Sequence, residues 1–233
     1  MASSEGTSGA LLGHQTTTGE SILLRVSGEL TGHAESVVLP LLLPDSPVVV
    51  WWPNKAPEVP SEDAIGRLGQ RRLTDAESTA SPIRALRAVA RNYAPGDTDL
   101  SWTRLTPWRA LLAAALDQTN ARVTGGHLVT GAGNPAAELL AAWLESRLNI
   151  KMTTERGDAA HISAVTLRTA TGDVTIERVN DTTANFSVPG AAQHHVPLGA
   201  RTHAELLAED LRRLDNDEIY EATIRHLLGK IDS

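Results

Sequence analysis

The sequence contains no cysteine among its 233 residues, which excludes disulfide bonds, thiolate nucleophiles and cysteine-ligated zinc. A chain without cysteine fits a reducing compartment, and we expect a cytoplasmic protein. Long apolar runs are also missing. Residues 37–43 form the longest one, Pro40 interrupts it, and a bilayer span needs about 20 apolar residues. We therefore expect no membrane association.

Basic residues are in the minority, with 21 Lys and Arg against 28 Asp and Glu and a net charge of −7. A nucleic-acid-binding face needs clustered positive charge, so we expect no nucleic-acid partner. Hydrophobic residues make up 41% of the chain, which is typical of a globular protein. The length suffices for one large domain or two small domains with cores of their own.

Composition along the chain predicts three parts. Residues 1–19 are rich in Ser, Thr and Gly and lack the basic-then-apolar order of a signal peptide, which indicates a flexible leader. We place a domain boundary near Gln118. Residues 20–118 then form an N-terminal α/β domain, and residues 119–233 form a C-terminal α+β domain.

The first domain is predicted to contain a sheet flanked by helices. Residues 48–52 form a β-branched and aromatic run between two prolines, which is typical of a strand covered on both faces. Residues 22–27 and 100–105 also have strand-like patterns. Helices are expected over residues 33–43, 81–93 and 106–117, the second opened by Ser81-Pro82 and the third by Thr106-Pro107.

The second domain is predicted to contain a smaller sheet with a hairpin. The hairpin pairs residues 162–169 with 174–179, and further strands are expected over residues 121–130, 184–188 and 195–198. Asn134-Pro135 opens a helix to residue 148, and Thr202 with Glu205 forms a capping box before a helix to residue 214. The last helix is expected over residues 217–228, with Gly229 as its end.

Catalytic and metal-binding patterns are missing. The sequence has no nucleophile elbow, no zinc-protease helix and no Walker loop. His194 and His195 are adjacent and would point to opposite faces of a strand, so they do not share a metal. Residues 215–218 resemble the start of a calcium loop but lack its glycine and later glutamate. We therefore predict no catalytic residue, no metal and no cofactor.

One turn has features of an anion site. Residues 130–134 connect a predicted strand to a predicted helix, and such a turn offers backbone N–H groups to a phosphate. Gly131 and Gly133 are two of the three glycines of the dinucleotide fingerprint, and Asn134 follows them. We favour a plain turn because the third glycine is missing, and we keep these three residues as candidate anion ligands.

Tryptophan accounts for five of the eight aromatic residues. Trp51 and Trp52 lie at the carboxyl end of the buried strand, where they either cover the two helix layers or bind a partner. Trp108 and Trp143 lie on apolar helix stripes and are expected in the core. Trp102 and Arg104 share a face of the segment predicted to be extended, so an arginine stacked on an indole there is a candidate recognition surface.

Arginines cluster once in this acidic chain, at Arg67, Arg71 and Arg72, and Asp75 follows closely. The cluster fits two interpretations. Asp75 could pair with the arginines in a local turn, or the arginines could anchor a carboxylate or phosphate from outside, for which the guanidinium fork is suited.

Several ordered blocks together resemble the actinobacterial form of the glucose-6-phosphate dehydrogenase assembly protein family, OpcA. These blocks are residues 36–45, Trp51-Trp52-Pro53, residues 65–68, residues 71–75 and residues 100–109. The resemblance implies an accessory protein without catalytic residues that binds glucose-6-phosphate dehydrogenase. It implies that the protein promotes assembly of the enzyme or raises its activity, and so feeds the oxidative pentose phosphate pathway and NADPH supply.

The resemblance also implies that the first domain is truncated at its start, because the chain begins later than most members. We expect six residues to contact the dehydrogenase or to support such contacts: Trp51, Trp52, Arg71, Arg72, Trp102 and Arg104. The alternative is a sugar-phosphate or nucleotide sensor that uses the glycine turn and the arginine cluster. An unrecognised enzyme is a weaker alternative, because no pair of base and nucleophile can be assembled.

Overall fold

A computed structural model describes residues 20–119 and 121–232, so the predicted leader lies outside the described residues. Within these ranges the chain contains a three-stranded sheet, a six-stranded sheet and seven α-helices. The predicted α/β class is confirmed. The relative size of the sheets differs from the expectation, since the second sheet has six strands and the first has three.

The first sheet consists of β1 (Val49–Trp51), β2 (Arg71–Thr74) and β3 (Asp97–Asp99). All neighbours are parallel, in the order β1-β2-β3. The predicted strand at β1 is confirmed. The other two strands carry charged residues that are buried in the structure, which is why no apolar pattern indicated them. Helix α2 (Pro82–Arg91) connects β2 to β3 and begins at Pro82, with Ser81 in the N-cap position as predicted.

Before β1, none of the side chains that the structure describes is fully buried. The strand predicted over residues 22–27 is wrong, because these residues belong to no sheet and are mostly exposed. The predicted helix that follows is short. It consists of α1 (Ala34–Val38) and a 3-10 turn, Leu39–Leu41, where Pro40 removes a backbone donor. Neither element contains a buried residue.

The segment predicted to be extended over residues 100–105 begins instead with a helix, α3 (Leu100–Thr103). The carboxylate of Asp99 accepts a hydrogen bond from the Ser101 amide at 2.9 Å, which caps a helix directly after β3. The alternation of apolar and polar residues over 100–105 therefore belongs to a helix and not to a strand. Helix α4 (Thr106–Asp117) follows and has the predicted bounds.

The second sheet has the order β5-β4-β6-β7-β8-β9. Its strands are β4 (Val123–Thr130), β5 (Met152–Arg156), β6 (Ile162–Thr169), β7 (Gly172–Arg178), β8 (Thr183–Ser187) and β9 (His194–Pro197). Strands β4 and β5 are parallel and are joined by α5 (Pro135–Leu148), whereas the other pairs are antiparallel. The predicted hairpin is confirmed as β6 and β7. Strand β5 was not expected because four of its five residues are exposed.

The last two helices are α6 (His203–Asp210) and α7 (Glu218–Ile231). The predicted capping box at Thr202 is confirmed, although α6 ends before residue 214. Helix α7 continues through Gly229, so the predicted end there is wrong. A glycine ends a helix by adopting a left-handed conformation, and Gly229 does not adopt one.

One apolar cluster joins the second sheet to helices α2 to α5 and α7, whereas Val50 and Leu73 of the first sheet are buried outside it. Leu139, Leu140 and Leu144 of α5 are at most 1% exposed. Trp108 is buried as predicted, and Trp143 is half-buried against the cluster. The cluster contains residues on both sides of Gln118, and the boundary expected there stays a prediction.

Truncation of a core leucine should test this packing. Leu139→Ala removes a side chain that is 0% exposed, so we expect the free energy of unfolding to fall by about 2–5 kcal/mol. The matched control is Leu211→Ala, whose side chain is 44% exposed and should change stability by less than about 0.5 kcal/mol. Urea unfolding followed by circular dichroism measures both. Equal losses in the two variants would contradict the burial described above.

Candidate functional site

The carboxyl ends of the three parallel strands meet at one edge of the first sheet, where ligands and partners dock in open α/β sheets. The residues at or just after these ends are Trp51, Asp75 and Asp99. Asp99 is fully buried and accepts hydrogen bonds from Thr74 Oγ1 at 2.6 Å and from the Ala76 amide at 2.9 Å. A cleft of about 690 Å³ opens beside it.

Asp75 is the centre of a polar cluster that we call the strand-end network: Asp75, Glu77, Ser78, Arg104 and His203. Arg104 donates two hydrogen bonds to Asp75, at 2.7 and 3.1 Å, and Ser78 Oγ donates a third at 2.6 Å. His203 Nε2 lies 2.9 Å from the second carboxylate oxygen. Glu77 is 3.3 Å from Arg104 Nε. The network joins the end of β2 to α6 and to the segment before α4.

Asp75 and Arg104 stabilise each other's charge within this network. Burial alone would raise the pKa of Asp75, but the hydrogen bonds from Arg104, Ser78 and His203 hold it below its ordinary value. Burial alone would lower the pKa of Arg104, and Asp75 together with Glu77 raises it instead. Asp75 is therefore a stable carboxylate and is unsuited to accept a proton near neutral pH.

Trp51 and Trp52 are both half-buried. The Trp51 ring lies 6.3 Å from the His203 ring, centre to centre, and its buried Nε1 has no partner among the described residues. Trp52 lies over Gly66, where a Cβ would be 3.2 Å from the indole and 1.8 Å from the carbonyl oxygen of Pro60. Each indole packs against the protein on one side and is partly exposed. The role of both in partner binding stays a prediction.

Arg71 and Arg72 do not form the local turn with Asp75. Arg72 is bound to Asp97 at 2.5 Å and to the carbonyl oxygens of Gly69 and Pro95, and its bond to Asp97 links β2 to β3. Arg71 donates to Asp210 of α6 at 2.9 Å. Both arginines are buried and already paired, so the structure uses them to hold its own elements together. Asp75 pairs with Arg104 and His203 instead.

Trp102 is only 1% exposed, so the expected surface pair with Arg104 is wrong. Its Nε1 donates to Asp217 at 2.7 Å, and its ring contacts Tyr220. The guanidinium carbon of Arg109 lies 3.8 Å from the centre of the ring, which is the cation–π geometry expected for Arg104. Arg109 therefore lies on the Trp102 ring where Arg104 was expected, because helix α3 turns Trp102 inward and Arg104 toward Asp75.

Sequence reasoning missed His203 and Arg109. His203 is 128 residues from Asp75, and its only local signal is the capping box just before it. Arg109 follows Trp108 on α4, and no spacing rule connects it with Trp102 across two helices. Contacts of this kind depend on packing and leave no periodic pattern.

The glycine turn, residues 130–134, follows β4 of the second sheet. Gly131, Gly133 and Asn134 line a cleft of about 630 Å³ that contains neither Arg71 nor Arg72. Asn134 caps α5 by accepting from the Ala137 amide at 3.0 Å, and its Nδ2 donates to the carbonyl oxygen of Ala160. The structure therefore does not bring the turn and the arginine cluster together.

The described ranges, 20–119 and 121–232, contain no group of three or more His, Asp or Glu residues placed to hold a metal ion. No helix in the described part of the chain is long and apolar enough to cross a membrane.

Replacement of Asp75 should expose the strength of the network. In Asp75→Asn the Arg104 guanidinium loses its buried counter-charge, so we expect the free energy of unfolding at pH 7 to fall by about 2–3 kcal/mol. Because the pKa of Asp75 is lowered on folding, this advantage of the wild type is complete above about pH 4. It disappears as the pH falls through the lowered pKa.

Urea unfolding at a series of pH values measures this difference. The control is Asp173→Asn, in the exposed hairpin turn, and it should match the wild type at every pH. A constant difference between wild type and Asp75→Asn down to strong acid would contradict the lowered pKa.

Comparison with known proteins identifies the family. The model for the glucose-6-phosphate dehydrogenase subunit N-terminal domain matches residues 8–91, and that for the C-terminal domain of the same subunit matches residues 95–224. A Synechocystis protein named as the OxPP cycle protein OpcA is 32% identical over 144 residues. That match covers 55% of this chain and 29% of the relative, so the chain spans less than a third of the relative.

Solved structures add no argument. KijD10, a 3-ketoreductase from Actinomadura kijaniata, matches in its open conformation with TDP-benzene and NADP at a TM-score of 0.47 and 15% identity, covering 81% of this chain and 77% of that one. Its complex with NADP matches at a TM-score of 0.45, with 14% identity and the same coverage. The two family matches, by contrast, account for most of the sequence, and the chain belongs to the OpcA family of glucose-6-phosphate dehydrogenase assembly proteins.

Proposed function

We propose that this chain is a cytoplasmic, non-enzymatic accessory protein that binds glucose-6-phosphate dehydrogenase and promotes its assembly or raises its activity. Family membership links the chain to the pentose phosphate pathway, since both matched domains are described as parts of a glucose-6-phosphate dehydrogenase subunit. The Synechocystis relative carries the name of an OxPP cycle protein. Direct contact with the enzyme is the step that we add.

The observation that carries this proposal is an exposed apolar segment ahead of β1. Six of the ten exposed large hydrophobic side chains in the described residues belong to it: Ile22, Leu23, Leu24, Leu39, Leu41 and Leu43. Leu23 is 82% exposed and Leu43 is 74% exposed. Exposed apolar patches mark protein-binding surfaces, and we call the two stretches 22–24 and 39–43 together the apolar segment.

The strand-end network supports a role without catalysis. Its charged groups are bound to one another, and the pKa of its central carboxylate is lowered by these bonds. A general base needs a pKa near the working pH and a free face toward the substrate. Asp75 meets neither condition, and Asp99 is enclosed by Thr74, Ala76 and Ser101.

The six residues expected at the partner surface divide into two groups. Trp51, Trp52 and Arg104 keep exposed area, and we assign them to the contact surface together with the apolar segment. Arg71, Arg72 and Trp102 are buried, and we assign them a supporting role. They hold α6, β3 and α7 against the elements that carry the contact residues.

Any effect on the dehydrogenase must come from unequal affinity for its states. A protein that binds the assembled or active form more tightly shifts the enzyme toward that form, and equal affinity shifts nothing. Coupling free energies of this kind are about 1–3 kcal/mol, which corresponds to changes of about 5- to 150-fold. Activation should therefore appear as a change in the subunit equilibrium or in substrate dependence.

Substitutions in the apolar segment should weaken binding without unfolding the chain. We expect the double variant Leu41→Ser/Leu43→Ser to bind the dehydrogenase of the same organism about tenfold more weakly or worse, because burial of each leucine contributes about 1.5–3 kcal/mol. Its thermal unfolding temperature should stay unchanged, since both side chains are exposed. Biolayer interferometry and size-exclusion chromatography measure the binding.

The control for this experiment is Val179→Ser, which removes an apolar side chain that is 52% exposed outside the apolar segment. It should bind as the wild type does. Failure of the wild-type chain to form a complex would sink the proposed function, and unchanged affinity in the double variant would exclude the apolar segment as the contact surface.

A further inference from the structure

The cleft beside the glycine turn, about 630 Å³ in volume, is built by a β-α-β unit. Strands β4 and β5 are parallel neighbours, and Thr130 pairs with Arg156 at their carboxyl ends. The chain leaves β4 through Gly131 and Gly133 and enters α5. Both strand ends and the start of α5 thus line one cleft, which we call the turn cleft. This arrangement is the one in which parallel sheets bind ligands.

Backbone donors are available in the turn cleft. No group in the described part of the chain accepts a hydrogen bond from the amides of Ala132, Gly133 or Asn134. Gly133 has φ of +70°, and a Cβ there would meet nothing within 4 Å, so its backbone borders open space. Helix α5 has 14 residues, and the N-terminus of such a helix attracts negative charge.

An independent observation comes from Thr130. This residue is 5% exposed and lines the turn cleft, yet its hydroxyl has no hydrogen-bond partner within the described residues. Nearby Ser163, in contrast, donates to the carbonyl oxygen of Val129. Buried hydroxyl groups are rarely left without a partner, so a ligand that accepts from Thr130 would complete the site.

Arg156 is the charged side chain of the turn cleft that pairs with no described residue. Four of the cleft's five charged side chains have a partner at 3.1 Å or less: Arg87 and Glu138 pair with each other, Glu155 pairs with His127, and Lys230 pairs with Glu145. Arg156 is exposed and makes no ion pair or hydrogen bond with the residues that the structure describes. Its register with Thr130 puts both on the same face of the sheet.

We propose that the turn cleft binds the phosphate group of a small phosphorylated metabolite. The turn amides and the Thr130 hydroxyl donate to the phosphate oxygens, and Arg156 supplies the forked positive charge. A phosphate monoester fits these donors better than a carboxylate does, because it offers three acceptor oxygens. The donors approach from three places: the turn, the strand and the arginine. Phosphate binding at this site would not require the dehydrogenase, because the chain alone contains all of these donors.

Calorimetric titration of the full chain at low salt tests the site with three probes: inorganic phosphate, glucose 6-phosphate and glucose. We expect saturable binding of the two phosphate compounds and no binding of glucose. Arg156→Gln should weaken phosphate binding about tenfold, and Thr130→Val should weaken it about threefold or more. The control Arg168→Gln removes another exposed arginine, which does not line the turn cleft, and should bind as the wild type does.

Amide chemical shifts recorded during the same titration locate the ligand. Shifts concentrated at residues 130–134 and 156 support the proposal, and shifts concentrated around Arg71 and Arg109 overturn it. Absence of saturable binding up to millimolar phosphate or glucose 6-phosphate overturns it too. Equal affinity of the wild type and Arg156→Gln for phosphate would also overturn it. Arg156 is exposed, so this variant remains decisive even if Thr130→Val unfolds.

Discussion

The buried carboxylate of Asp75 is the constraint on which the first sheet and α6 depend. A carboxylate removed from water is tolerated only where cations and donors surround it. Asp75 obtains these from Arg104, 29 residues away, and from His203, 128 residues away. A second ion pair, between Arg71 and Asp210, holds the other end of α6. Two charge pairs therefore place one helix against the strand ends.

Charged and polar groups are arranged differently at the two sheet edges. At the edge of the first sheet, Asp75 is bound by Arg104, Ser78 and His203, and Arg104 also pairs with Glu77. At the edge formed by β4 and β5, the amides of residues 132–134, the Thr130 hydroxyl and the Arg156 guanidinium have no partners in the described residues. The proposed docking surface and the proposed anion site therefore differ in how many of their polar groups are already paired.

Local signals predicted the helices well. Ser81-Pro82, Asn134-Pro135 and the Thr202 capping box each mark a helix start in the structure, because capping depends on residues within one turn. The strands of the first sheet were harder to predict. Strands β2 and β3 bury charged residues, so they lack an apolar pattern. The alternation over residues 100–105 predicts an extended segment and gives no sign that Asp99 caps a helix there.

The sequence by itself determined the α/β class, most helix starts, the hairpin and the burial of Trp108, since each follows from contacts within a few residues or from periodicity. It also carried the family resemblance in short ordered blocks. Only the tertiary structure decided that Asp75 pairs with Arg104 and His203, and that Arg109 covers a buried Trp102. Ion pairs and ring contacts between distant segments depend on how helices and strands pack, and spacing along the chain does not encode that packing.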